Sequence, residues 1–76
     1  MTVFSLFGDV TWEGESFLGI FATLERAQAE VPGDWTLGRN GEWRRDGGAY
    51  LHPGRPAGAP PTGYDGFFIL AVEVQE

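Results

Sequence analysis

The chain has 76 residues, of which 42% are hydrophobic and 14% aromatic, and its eleven acids and five bases give a formal net charge of −6. That length suits one domain burying about 60% of its unfolded surface, and that composition belongs to a folding chain. There is no cysteine and no lysine, and His52 is the only histidine. Disulfides, thiolate catalysis, Cys- or His-rich zinc sites and lysine Schiff-base chemistry are therefore excluded.

The N-terminal segment Thr2 to Phe7 is rich in β-branched and aromatic residues and stops at Gly8-Asp9, which predicts a first strand. Ser16 to Ala22 repeats the pattern and predicts a second. Between them, residues 8–15 carry two glycines and three acids and read as a long hairpin connection, with Trp12 its one bulky residue. Met1–Phe7 lacks the basic start of a secretory leader. A membrane helix needs about 20 apolar residues, and the longest apolar run is Phe67 to Val72. The expectation is a cytoplasmic protein with no membrane contact.

Thr23 is placed to cap a helix, Glu25 puts negative charge in its first turn, and Pro32-Gly33 ends it. Leu24, Ala27 and Val31 form a narrow apolar stripe at helical spacing. A helix of about two turns is unstable alone and must lie on a sheet. Further on, Asp34 to Arg39 and Glu42 to Arg45 flank Asn40-Gly41, a strong hairpin signal. A two-residue turn would divide Trp35, Leu37 and Trp43 between two faces. A three-residue loop, Arg39-Asn40-Gly41, opposes Leu37 to Trp43 and gathers all three on one face, so that register is expected, with both tryptophans in the core.

Nine of the eighteen residues in 46–63 are Gly or Pro, which reads as a long loop. It is either a mobile excursion or is anchored across the sheet by Tyr50, Leu51 and His52. Tyr64 to Val74 is the longest predicted strand. The resulting fold class is α+β over residues 1–76: a mainly antiparallel sheet of about five strands (β-β-α-β-β-loop-β) with one short helix on one face.

The segments Val3-Phe4-Ser5-Leu6-Phe7 and Phe17-Leu18-Gly19-Ile20-Phe21-Ala22-Thr23-Leu24-Glu25-Arg26-Ala27, with an acidic hairpin tip between them, resemble a group of small bacterial and phage proteins. In that group a strand ending in a GvF or GvY motif runs into s-x-e-x-A. Trp35, the Trp43 hairpin and the closing strand from Tyr64 to Glu76 are similar too, whereas residues 46–63 depart from the pattern. These proteins are domains of unknown function, so the resemblance implies the fold and transfers no catalytic residue.

One helix covers one face, yet the first and last strands are apolar on both. Phe4 and Leu6 oppose Val3 and Phe7, and Phe68 and Leu70 oppose Phe67 and Ile69. Each large side chain moved out of water is worth about 1.5–3 kcal/mol, so the second face needs a cover. A second copy in a homodimer is the first expectation, then the Gly/Pro-rich loop, then another protein.

Catalytic constellations are thin. Ser5 and Ser16 sit in no nucleophile elbow, with His52 the only imidazole to serve them. Asp9, Glu13 and Glu15 cluster on a glycine-bearing loop open to water and not in an enclosed cleft, and they lack calcium-loop spacing. Arg39, Arg44, Arg45 and Arg55 are interleaved with Asp34, Glu42, Asp46 and Asp65, and the net charge repels phosphate, which argues against nucleic acid. The expectation is a non-catalytic interaction module, without cofactor or metal, that acts through an apolar sheet face and aromatic loops. Its expected contact residues are Trp12, Glu13, Glu15, Tyr50 and Tyr64. The alternative is an acidic inhibitor, of the kind phages encode, that occupies a basic surface of a host protein.

Overall fold

The structure, a computed structural model, describes residues 1–75. The elements run β1 (Thr2–Val10), β2 (Gly14–Phe21), α1 (Leu24–Glu30), β3 (Thr36–Leu37), β4 (Trp43–Tyr50) and β5 (Thr62–Glu73). They form one antiparallel sheet in the order β2-β1-β5-β4-β3, with the helix on one side. The expected α+β fold with about five strands and a single short helix is what the chain adopts.

Local signals place most of these elements. The Thr23 hydroxyl accepts from the Arg26 amide at 3.2 Å and caps α1, as its position predicts. Ala27 and Val31 are buried and Leu24 packs beside them, so the narrow stripe faces the sheet. In the second hairpin Leu37 pairs with Trp43, and Gly41 at φ +85° occupies the left-handed region that a three-residue loop requires. The register chosen from the aromatic pattern is the one observed. Trp35 and Trp43 pack against the core, and the Trp35 indole donates to the Val31 carbonyl at 3.0 Å. Leu37, on the same face, stays exposed, because β3 is the edge strand and α1 packs over β1 and β2 at the other side.

Three boundaries differ from the sequence reading, the simplest being that β3 keeps only Thr36–Leu37 of the expected Asp34 to Arg39. The first hairpin is tighter than expected: β1 continues to Val10, β2 begins at Gly14, and the Glu13 amide donates to the Val10 carbonyl across the turn. The loop after β4 spans only 51–61, because β4 runs through the glycines to Tyr50 and β5 begins at Thr62. Glycine content had argued for a loop there. Instead the glycines let two strands change face. Arg45 and Tyr50 both reach the helix side, Arg45 through Nε to the Pro32 carbonyl and Tyr50 through its hydroxyl to Glu30. Strict alternation would send residues five apart to opposite faces. The pleat gives way at Gly47-Gly48, opposite Tyr64–Gly66, where the β5 backbone leaves no room for a Cβ on Gly47. Tyr64 and Phe67 share the helix side for the same reason, with the Tyr64 ring lying over Gly8.

The core follows from this. Leu6, Phe67 and Ile69 are fully buried on the helix side of the sheet, with Ala27, Val31, Tyr50 and Tyr64 completing the cluster.

Candidate interaction face

The opposite face of the sheet has no helix. On β1 it presents Val3, Ser5, Phe7 and Asp9, and on β5 Phe68, Leu70 and Val72, in directly opposed pairs Val3–Val72, Ser5–Leu70 and Phe7–Phe68. On β2 a bulge at Leu18 shifts the register after Leu6, so that Phe17 pairs with Phe7 while Ile20 pairs with Ser5. Without that extra residue Phe17 and Ile20, an odd number of positions apart, would point to opposite faces. The bulge therefore puts both on this face and lets Leu18 pack against the core.

The result is a set of cross-strand rows. Phe17, Phe7 and Phe68 form one: Phe7 meets Phe17 edge-on at 5.7 Å and stacks on Phe68 at 4.9 Å. Arg44 of β4 closes the row, its guanidinium 5.6 Å from the Phe68 ring centre. Ile20 and Leu70 flank Ser5 in the next row, with Val3 and Val72 beyond. Phe17, Ile20, Leu70 and Val72 are exposed, at 58%, 60%, 39% and 42%, Val3 and Phe7 are half-buried, and Phe68 and Ser5 are buried between their neighbours in the rows. On the other side of the aromatic row lie Glu15, Asp9 and Asp46, joined through Gly66.

The 51–61 segment does not lie on this face. Its anchors are on the helix side, where His52 Nε2 and the Tyr64 hydroxyl are 2.9 Å apart and the His52 ring meets Tyr50 edge-on. The Tyr50 hydroxyl donates to Glu30 at 2.8 Å. Burial, and then the bond to the Glu30 carboxylate, push the Tyr50 phenol up to about 12. These contacts fix the ends of the loop. Of the two readings offered for it, the anchored one describes its start at Tyr50 and His52.

The expected contact residues divide. Trp12 is 93% exposed at the tip of the first hairpin, with Glu13 beside it and Glu15 on the uncovered face. Tyr50 and Tyr64 require correction: both are core residues, with their hydroxyls turned to Glu30 and His52, because the change of face in β4 and β5 carries them inward. The residues missed are Phe7, Phe17, Ile20, Phe68 and Leu70. The two-sided apolar strands point to this sheet face, although none of these five residues is among the expected contacts.

Other surface features offer little chemistry. Thr11 donates through its amide and hydroxyl to Asp65 at 2.7 and 2.6 Å, which holds that carboxyl below its ordinary value. Glu73 is lowered likewise by Thr2 and then the N-terminal ammonium. Glu42 is lowered by its own amide and then by Arg44. A hollow of about 490 Å³ between the β2 edge and α1, lined by Ile20, Phe21, Ala22, Arg26, Ala29 and Glu30, holds no nucleophile or imidazole. Among the described residues no three His, Asp or Glu are grouped to hold a metal ion, and no helix is long and apolar enough to cross a membrane.

Fold and site together define an α+β chain with one apolar sheet face left open. No family model matches the chain, and neither does a curated protein or a solved structure. The resemblance to small bacterial and phage proteins therefore carries no part of the functional reading.

Proposed function

We propose that the protein is a non-catalytic interaction module whose binding surface is the open sheet face. The observation that supports this is the row Phe17–Phe7–Phe68 with Ile20, Leu70 and Val72 beside it: Phe17, Ile20, Leu70 and Val72 are exposed and Phe7 is half-buried, while Phe68 is buried between Phe7 and Arg44. Scattered exposed apolar residues are ordinary on a protein surface, but a contiguous field rimmed by charge marks a place where another chain docks. Trp12 and Glu13, at the hairpin tip adjoining the field, extend the surface.

Hydrophobic-dye fluorescence and denaturant unfolding of an Ile20→Thr/Leu70→Thr variant test the reading. The variant should keep the unfolding midpoint within about 0.5 kcal/mol per site, as surface positions do, while dye binding falls severalfold. A variant that unfolds like a core mutant, or an intact chain that binds no dye, would contradict it.

A further inference from the structure

Resting on that reading of the face, the geometry points to its occupant: a basic amphipathic helix whose apolar stripe lies on the phenylalanine row and whose Lys or Arg side chains meet Glu15, Asp9 and Asp46. Size comes first. The field covers β2, β1, β5 and β4 and runs from Val3 to Asp9. At ~4.8 Å between strands and ~3.4 Å per residue it measures roughly 15 by 20 Å, or about 300 Å². A stable protein–protein interface needs about 800 Å² from each partner. A helix, about 10–12 Å across and rising 1.5 Å per residue, covers such a field with roughly 13–15 residues.

Charge comes second. Asp9 and Glu15 are direct cross-strand partners, and like charges so placed repel one another. Asp46 continues their row, and the only cation on the face, Arg44, is engaged with Glu42 at 3.0 Å. Among the described residues none of the three carboxylates has a salt bridge. A second copy fits this poorly. Twofold docking about an axis along the strands lays the acidic row on itself, and an axis across them sets it against Val3 and Val72. A basic helix instead satisfies the row while its apolar residues cover the rings. Arg44 on Phe68 shows within the chain that these rings receive a guanidinium.

The probe is a designed Leu/Lys peptide of about 15 residues with apolar positions at helical spacing, compared with a Leu/Glu peptide of the same apolar pattern. Fluorescence anisotropy against the full chain should show the Leu/Lys peptide binding at least about tenfold more tightly, with an advantage that shrinks as salt rises. An Asp9→Asn/Glu15→Gln/Asp46→Asn variant should lose that advantage. A variant with the same change in net charge elsewhere, Glu25→Lys/Asp34→Asn, should keep it. Equal binding of both peptides, or equal losses in both variants, would overturn the inference. Light scattering over a concentration series separates the remaining outcomes. A dimer that Ile20→Asp returns to monomer, with no peptide bound, overturns the helix as occupant and leaves the interaction face standing. A monomer that binds neither peptide nor dye overturns both.

Discussion

The two faces of this sheet are made from the same kinds of residue and end in opposite surroundings. Phe4, Leu6, Phe67 and Ile69 lie on the helix side, while Phe7, Phe68 and Leu70, one position away along the same strands, and Phe17 on β2 lie on the other face. Hydrophobicity alone does not separate them. What does is the seven-residue length of α1, which covers β1 and β2 on one side and nothing on the other. The two faces also differ in their borders. At the covered face the Trp35 indole and the Tyr50 phenol donate to the Val31 carbonyl and the Glu30 carboxylate, whereas the open face is bordered by carboxylates without a salt bridge among the described residues. Burial explains the first border, and the proposed basic partner would answer the second.

Mutations can break this comparison, and the largest effect belongs on the covered side. Phe67→Ala should cost about 3–5 kcal/mol, read by denaturant unfolding, because the ring is fully buried beneath Tyr50, Tyr64 and Arg45. A loss under 1 kcal/mol would mean that the covered face is not the core. Gly47→Ala should destabilise by about 1–3 kcal/mol, since the added Cβ meets rigid β5 backbone where both strands change face.

Alkaline titration sharpens the same contrast. The Tyr50 phenol is raised from 10.0 to about 12 in the folded chain, so the folded state holds its proton more tightly than the unfolded one. The stability this contributes is fully present below the ordinary phenol value and is lost as pH rises toward and through 12. Tyr50→Phe should flatten that alkaline loss and remove about 1 kcal/mol at neutral pH with the bond to Glu30. The smallest effect belongs to the open face: Phe17→Ser should shift stability by no more than about 0.5 kcal/mol. A core-sized loss there would mean that the outer rings hold the fold together.

Much of the fold was legible where one residue dominates a local choice. The Thr23 cap, the Pro32-Gly33 stop and the Leu37–Trp43 register each rest on a few neighbours, and the structure repeats them. Residues 46–50 were misread because a glycine count cannot distinguish a loop from a strand that changes face. Only the partner backbone across from Gly47 reveals the need for glycine. The same change of face took Tyr50 and Tyr64 from expected contact residues to the core. For the candidate site, the two-sided apolar strands were readable, but the Leu18 bulge that brings Phe17 and Ile20 onto one face is a property of strand pairing. Which face α1 would cover was equally a matter of tertiary packing.

The most direct measurement follows the aromatic and methyl resonances of the folded chain as the basic amphipathic peptide is titrated in. Shifts should concentrate on Phe7, Phe17, Ile20, Phe68 and Leu70, leaving Leu6, Phe67 and Tyr50 nearly still. Shifts gathered on the helix side, or spread evenly over both, would show that the uncovered rings are not where this protein meets its partner.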